Sequence, residues 1–126
     1  MEKKSIDLRN LLMQINEHKQ MNAKLALEFD CILETDDVTP LVKVINYAVN
    51  YISQLTDQPM QISLNASMSG ITIGFTAFTE ALVLPELNPK VSEALAPYNA
   101  VLEQKGEPGN YTQLLISFNE ENDFEK

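Results

Sequence analysis

The sequence predicts an α+β protein, in which a small antiparallel or mixed sheet of three or more strands carries helices on one face. Apolar residues recur every three or four positions through 39–55, which is the spacing of a buried helix face. Apolar and polar residues alternate through 61–68, 71–78 and 111–118, which is typical of half-buried strands. With a long helix at the N-terminus and another after residue 88, the predicted order is α-α-β-β-α-β.

The long N-terminal helix is expected over residues 5–34, which contain no glycine and no proline. One set of residues within it repeats at alternating spacings of three and four, the heptad pattern of a helix that pairs with another helix. This predicted seam consists of Leu8, Leu11, Ile15, His18, Asn22, Leu25, Phe29 and Ile32. Because the seam is longer than an intrachain contact needs, we expect it to form a homodimer interface or to dock a partner. A contact within one chain is the alternative.

The second helix is expected over residues 39–55. Asp36 or Asp37 can cap its start, and Pro40 lies in its first turn, where the missing N–H does no harm. Asn46 and Asn50 lie on the flank of its apolar face, one helical turn apart. That face consists of Leu41, Val44, Ile45, Ala48, Val49 and Ile52.

The remaining elements follow from turn residues and periodicity. Ser69-Gly70 predicts a tight turn between the strands at 61–68 and 71–78. A third helix is expected from Asn88-Pro89 to about residue 103, kinked at Pro97 and ended by the GEPG of residues 106–109. We therefore expect three regions: an N-terminal helix over 1–35, an α/β sandwich over 36–119 and an acidic tail over 120–126.

Composition excludes several function classes. Eighteen acidic and nine basic residues give a formal net charge of −9, so nucleic acid is an unfavourable ligand, although a helix terminus can still bind a local anion. Cys31 and His18 are the single cysteine and histidine, too few for a zinc site, and we expect Cys31 to be buried within a helix. No signal peptide and no apolar run long enough to span a membrane is present. We expect a cytoplasmic protein with no metal, cofactor or membrane partner.

Two stretches resemble the ATP-binding domain of sensor histidine kinases, in the GHKL superfamily. The first is DDVTPLVKVINYAVNYISQLTDQPMQISLNASMSGITIGF, and the second is KGEPGNYTQLLISF. The resemblance lies in the order and spacing of segments over roughly residues 36–118. It implies an α/β sandwich and, where the family's motifs are kept, a nucleotide site.

The sequence departs from the family at each nucleotide-binding motif. Alignment of the second helix places Tyr47 where the family has its magnesium-coordinating Asn. No D-x-G-x-G follows residue 78, and NPKVSEAL at the start of the third helix contains no glycine. We therefore interpret the domain as degenerate, with Asn46 and Asn50 as surface residues or partner contacts rather than remnants of a nucleotide site.

His18 is the one candidate for catalytic chemistry. The segment EHKQMNAKLALEFD is similar to the His-bearing helix of sporulation and cell-cycle phosphotransferases, which also carry a degenerate ATP-binding domain. An imidazole nitrogen is nucleophilic near neutral pH, and Glu17 and Lys19 flank it. However, those proteins use a helical hairpin, and a phosphoacceptor must face solvent, whereas the pattern places His18 on the seam. The pair His18/Asn22 is more typical of residues that set the register between paired helices.

Together these observations predict a non-catalytic protein-binding or signalling adaptor on a degenerate histidine-kinase ATPase-like fold. It would hydrolyse no ATP, and its partner would be another protein, such as a two-component signalling protein. The first alternative is a histidine phosphotransfer protein that uses His18. The second is an acidic chaperone-like module that holds an amphipathic client segment against the open face of the sheet.

Overall fold

A computed structural model describes residues 4–19, 23–68 and 70–119. Within these residues the chain alternates between short strands and helices, and three α-helices and seven strands are present. In chain order they are β1 (Lys4–Asp7), α1 (Leu8–Lys19), β2 (Ala23–Leu27), β3 (Ile32–Thr35), α2 (Thr39–Leu55), β4 (Met60–Ser67), β5 (Gly70–Phe78), α3 (Lys90–Leu95), a 3₁₀ turn (Ala96–Tyr98), β6 (Ala100–Glu107) and β7 (Tyr111–Asn119).

The strands form a five-stranded mixed sheet in the order β2-β4-β5-β7-β6 and a separate antiparallel pair of β1 and β3. β2 runs parallel to β4, and the other neighbours in the larger sheet are antiparallel. Buried side chains meet across the central strands, where Phe75 lies opposite both Ile62 and Leu114. These residues share one hydrophobic core with the helices. The predicted α+β class, with helices on one face of a mixed sheet, is confirmed.

The middle of the chain folds as its periodicity predicts. α2 spans Thr39–Leu55 with Pro40 in its first turn, and all six residues of its predicted apolar face are buried. Asp37 accepts a hydrogen bond from the N–H of Thr39 at 3.0 Å and so occupies one of the free donors at the helix start. The hairpin of β4 and β5 and the last strand, β7, are also present where they were predicted.

The prediction of one helix over residues 5–34 is wrong. α1 begins at Leu8, where the carboxylate of Asp7 accepts hydrogen bonds from the N–H groups of Arg9 and Asn10, and it has 12 residues. β2 then alternates between half-buried and exposed residues and pairs with β4. A backbone φ of 64° at Asp30 further prevents a continuous helix. The absence of glycine and proline allowed a helix, but pairing with a distant strand decided the structure.

The predicted helical seam is therefore also wrong. Its members lie on three different elements and one connecting loop, and Asn22 is outside the described residues. Leu8 and Ile15 are buried in the chain's own core, whereas His18 is exposed in the last turn of α1. Leu11 packs at the edge of that core, Leu25 lies in β2, Phe29 follows β2, and Ile32 begins β3. No single stripe is left to pair two helices.

The third helix is shorter than predicted. α3 ends at Leu95, one 3₁₀ turn containing Pro97 follows, and the chain then enters β6. Asn99 has a left-handed φ of 55°, which ends the helical turn. Residues 106–109 span the end of β6 and the turn into β7 rather than a helix end. Gly106 and Gly109 have φ values of 149° and 79° there, which L-residues with side chains rarely adopt.

Cys31 is fully buried, as expected, but it lies between β2 and β3 and not in a helix. The described part of residues 1–35 shares the core of the whole sandwich, to which it contributes Leu8 and Leu12. The tail 120–126 lies outside the described residues. Among the described residues, no helix has the length and apolar character needed to cross a membrane.

Candidate functional site

The flank of α2 that faces α3 and the connection 79–89 carries two tyrosines, Tyr47 and Tyr51. They lie one helical turn apart, so both side chains project from the same side of the helix. Their ring centroids are 6.3 Å apart at an interplanar angle of 44°. Tyr47 stands at the position that the sequence resemblance assigns to a magnesium-coordinating Asn.

Tyr51 joins α2 to the long connection and to the sheet. It is buried, with 7 % of its surface exposed, and its hydroxyl donates a hydrogen bond to the carbonyl of Pro85 at 2.5 Å. Gln104 of β6 donates through Nε2 to both the Tyr51 hydroxyl and the Pro85 carbonyl. One tyrosine, one glutamine and one backbone carbonyl therefore hold the middle of the connection against α2.

Tyr47 holds the end of the same connection. Its hydroxyl accepts a hydrogen bond from the N–H of Asn88 at 2.9 Å, and the Asn88 side chain in turn accepts one from the N–H of Lys90 at the start of α3. The start of the connection is fixed by Thr79, whose hydroxyl donates to the carbonyl of Leu55 at 2.5 Å. The connection 79–89 is thus bound to α2 at three points.

A third tyrosine occupies the N-terminus of α2. The Tyr98 hydroxyl donates to the carbonyl of Asp37 at 2.7 Å and accepts from the N–H of Leu41 at 3.1 Å. The Leu41 N–H is one of the helix-start donors that have no partner within the helix and that often bind anions in proteins. Here a protein side chain binds it instead.

A small cavity lies between α2 and α3. The cavity beside Tyr47 has a volume of about 140 Å³, whereas sites for drug-sized ligands have roughly 300–1,000 Å³. Its lining consists of Lys43, Val44, Tyr47, Asn88, Lys90, Val91 and Ala94. No glycine lies between residues 75 and 105, so no backbone in this region is bare enough to wrap a phosphate closely. Among the described residues, no group of His, Cys, Asp and Glu could hold a metal ion.

The other predicted site residues take no part in the tyrosine contacts. Asn46 and Asn50 directly precede Tyr47 and Tyr51, but their side chains project from other parts of the α2 surface. Asn46 is half-buried on the side of α2 that faces α1, and Asn50 is exposed. Asn46 and His18 line a cleft of about 570 Å³ between α1 and α2, together with Leu11, Gln14, Ile15, Glu17, Lys19 and Val42. The argument that His18 belongs to a buried seam is therefore wrong, because its side chain is exposed.

The residues that matter most at this site could not be identified from local sequence. Tyr51, Tyr98 and Gln104 bind partners 34, 57 and 53 residues away. The spacing of apolar residues by three and four did predict the buried face of α2. However, this pattern treats a tyrosine as an apolar residue and does not reveal what the tyrosine hydroxyl contacts. The family alignment at Tyr47 was the one signal that pointed here.

Burial changes the acidity of these groups. Removal of water raises the pKa of Tyr51, and the neighbouring Tyr47 adds to this effect. Burial also raises the pKa of Tyr98, while its hydrogen bond from Leu41 opposes the change. In contrast, hydrogen bonds from Thr39 lower the pKa of the exposed Asp37 carboxyl. Both tyrosines thus stay neutral hydrogen-bonding groups well above neutral pH.

The open face of the sheet carries polar side chains at several of its positions. Its central positions are occupied by residues such as Gln61, Ser63, Thr72, Thr76 and Gln113, which alternate with the buried core positions. The side chain of Gln113 donates to the Thr76 hydroxyl at 3.0 Å. This face thus offers hydrogen-bonding groups at several positions, and Leu115 and Val101 add apolar surface to it.

No protein-family model matches the sequence, and no curated protein is similar to it. Solved structures do match. The histidine kinase domain of the Escherichia coli osmosensor EnvZ matches with a TM-score of 0.73 at 9 % identity, over 97 % of this chain and 91 % of that one. The ATP binding domain of PrrB from Mycobacterium tuberculosis matches with a TM-score of 0.69 at 15 % identity, over 97 % and 100 %.

The Acinetobacter baumannii histidine kinase AdeS is also similar, with a TM-score of 0.68 at 10 % identity, over 97 % of this chain and 69 % of that one. At these identities the likeness concerns the backbone fold and not the site residues. The protein therefore has the fold of the ATP-binding domains of histidine kinases.

Proposed function

We propose that this protein is a cytoplasmic, non-catalytic protein-binding module that serves two-component signalling and neither binds nor hydrolyses ATP. The observation that carries the proposal is the bonding of Tyr47 and Tyr51. Both side chains occupy the α2 flank where the resemblance places the magnesium ligand of a kinase, and both hydroxyls bind the connection 79–89.

The energetics support a closed site. A ligand that displaced the connection 79–89 from α2 would break the hydrogen bonds of Tyr51 to Pro85 and of Asn88 to Tyr47, and it would uncover the buried Tyr51 ring. Breaking buried hydrogen bonds without replacement costs about 1–3 kcal/mol for each unsatisfied group. The chain offers no glycine-rich loop or acidic metal ligands in this region to recover that energy.

A domain of this fold that binds no nucleotide can act through contacts of its surface with other proteins. The net charge of −9 favours contact with basic protein surfaces and disfavours nucleic acid. A homodimer belongs to the same proposal, although it cannot use the seam predicted from the sequence. Of the apolar residues in that set, Phe29 and Ile32 are exposed, at 71 % and 44 %. Sedimentation equilibrium of the full chain measures the mass directly.

Thermal unfolding with and without millimolar Mg·ATP tests the absence of a nucleotide site. A ligand at 100 times its Kd stabilises a protein by about 2.7 kcal/mol, which corresponds to roughly 8–15 °C in Tm for a chain of this size. We expect no shift beyond that caused by Mg·GTP at the same concentration, which serves as the control for ionic effects. A shift specific to the adenine nucleotide would contradict the proposal.

A second candidate function is phosphoryl transfer through His18. The observation that favours it is exposure of the imidazole in the last turn of α1, between Glu17 and Lys19. In such a step a ring nitrogen attacks the phosphorus of a donor such as phosphoramidate, an N–P bond forms, and ammonia leaves. Mass spectrometry would detect one acid-labile phosphoryl group that His18→Gln abolishes. If the wild-type chain gains none, this candidate is wrong.

A further inference from the structure

Three large apolar side chains stand in solvent at one end of the sheet. Phe78 ends β5, and Leu82 and Val83 follow in the connection 79–89, with exposed fractions of 72 %, 78 % and 76 %. We call these three residues the apolar ridge. A single exposed apolar residue is ordinary, but three within six positions of the chain indicate a surface that contacts something else.

The ridge is held in place by the β6–β7 turn. The N–H of Gly109 donates to the carbonyl of Ala81 at 2.7 Å, and the N–H of Thr79 donates to the carbonyl of Asn110 at 3.1 Å. A Cβ at Gly109 would lie 3.4 Å from a methyl group of Leu82, so that side chain rests on the turn. The apolar residues are therefore presented by a bonded loop, which lowers the entropy cost of binding a partner.

An acidic cleft of about 640 Å³ lies beside the ridge, between the end of α2, the start of the connection 79–89 and the β6–β7 turn. Asp57 and Glu80 are the charged residues in its lining, and no Lys or Arg lines it. The other lining residues are Leu55, Thr56, Gln58, Phe78, Thr79, Ala81, Gly109 and Asn110.

The end of α2 adds to the negative potential of this cleft. Carbonyl groups at a helix C-terminus carry a partial negative charge, which a basic residue in the last turn commonly offsets. The last turn of α2 has no basic residue. Two carboxylates and a helix C-terminus therefore all make the electrostatic potential in the cleft more negative. The cleft consequently favours a cation over an anion or a neutral group.

We propose that the apolar ridge and the acidic cleft together dock a basic amphipathic segment of a partner protein. A Lys or Arg side chain of that segment occupies the cleft between Asp57 and Glu80, and its apolar side chains cover Phe78, Leu82 and Val83. A second copy of this chain is a poor occupant, because its own net charge of −9 opposes entry into an acidic cleft. This inference rests on the proposed protein-binding function and names its surface.

A synthetic peptide provides the test. It consists of leucine and lysine patterned as an amphipathic helix of about four turns, and it is titrated into the ¹⁵N-labelled full chain. We expect amide shifts at Asp57, at residues 78–83 and at the β6–β7 turn. The same peptide with glutamate in place of lysine should bind at least about tenfold more weakly, because the cleft then repels it.

Variants separate the docking surface from general charge attraction. Leu82→Ser/Val83→Ser removes the ridge, and Asp57→Asn/Glu80→Gln neutralises the cleft; each should raise the Kd of the basic peptide about tenfold. Glu34→Gln/Asp36→Asn removes the same number of charges at another exposed place and should change the Kd less than about threefold. Phe29→Ser, at another exposed aromatic residue, should also leave the Kd unchanged.

The inference is overturned if the basic peptide does not bind or if the amide shifts it causes map away from the ridge. It is also overturned if Asp57→Asn/Glu80→Gln and Glu34→Gln/Asp36→Asn weaken binding equally. These outcomes are distinct from failure of the proposed function, which the Mg·ATP experiment decides. A chain that binds neither ATP nor the peptide keeps the closed nucleotide site and loses the docking surface. A chain that binds both has a nucleotide site, contrary to the proposed function, and keeps the docking surface.

Discussion

The hydroxyl of Tyr51 donates a 2.5 Å hydrogen bond to the carbonyl of Pro85, and this contact joins the middle of α2 to the connection 79–89. The partners are 34 residues apart in sequence. The Pro85 carbonyl therefore accepts a hydrogen bond from a buried phenol. The connection 79–89 is consequently part of the packed structure of this domain, and its stability should depend on single hydroxyl groups.

Tyr51→Phe removes that donor while it keeps the ring in place. We expect it to lower the free energy of unfolding by about 1 kcal/mol and to speed amide hydrogen exchange in residues 80–88. Tyr47→Phe, which removes an acceptor from a partly exposed side chain, should have a smaller effect. Urea unfolding and exchange mass spectrometry give both quantities. Unchanged exchange in Tyr51→Phe would mean that the hydroxyl does not hold the connection.

Tyr98→Phe should be more costly. Tyr98 is 6 % exposed, and removal of its hydroxyl leaves the Leu41 N–H without a partner, whereas the Asp37 carbonyl keeps a hydrogen bond from the Thr35 hydroxyl. An unsatisfied buried group costs about 1–3 kcal/mol. Tyr111→Phe, at a half-exposed position on β7, is the matched control and should cost less than about 0.5 kcal/mol. Equal losses in the two variants would show that the ring, and not its hydroxyl, supports the start of α2.

Stability should decrease at alkaline pH. The pKa values of Tyr51 and Tyr98 are raised in the folded protein because burial disfavours the phenolate. Between the unfolded value of about 10 and the higher folded values, the unfolded chain binds fewer protons than the native one, so the free energy of unfolding falls as pH rises. Below pH 10 this contribution is fully present. Urea midpoints from pH 9 to 11.5 should show a shallower fall in Tyr51→Phe/Tyr98→Phe than in the wild type.

Thr112→Val should stabilise the protein. Thr112 is fully buried in β7, and its hydroxyl has no hydrogen-bond partner among the described residues. Valine has nearly the same shape and removes the unsatisfied group, so we expect a gain of about 1 kcal/mol. Thr76→Val is the control, since the Thr76 hydroxyl accepts a hydrogen bond from Gln113 and should not yield the same gain. A loss of stability in Thr112→Val would imply that its hydroxyl is satisfied in solution.

The thiol of Cys31 should react slowly with Ellman's reagent in the native protein. Cys31 is fully buried, and burial together with the nearby Glu28, Asp7 and Asp30 raises its pKa. Little thiolate is therefore present and none is accessible, so reaction requires opening of the segment between β2 and β3. In concentrated urea the thiol should react at the rate of a free cysteine. Fast reaction under native conditions would contradict the burial of this residue.

Local sequence was sufficient to predict an element wherever that segment buries one face against the rest of the chain. The apolar face of α2 and the alternation in β4, β5 and β7 each specify both an element and its inner side, because burial of those side chains dominates the local free energy. The absence of the kinase motifs was also visible in the sequence, since it concerns residue types at known spacings. These features determined the α+β class and the degenerate interpretation of the nucleotide site.

Only the tertiary structure decided the N-terminal third and the contacts of the tyrosines. Residues 23–27 satisfy a heptad pattern as well as a strand pattern, and the parallel pairing of β2 with β4, more than 30 residues later, selects the strand. Tyr51 and Tyr98 look like ordinary apolar positions until the chain brings Pro85, Gln104 and Asp37 to their hydroxyls. The periodicity of apolar residues predicts which face of a segment is buried against the core. Hydrogen bonds between distant residues depend on the packing of the entire chain, and here those bonds hold the connection 79–89 against α2.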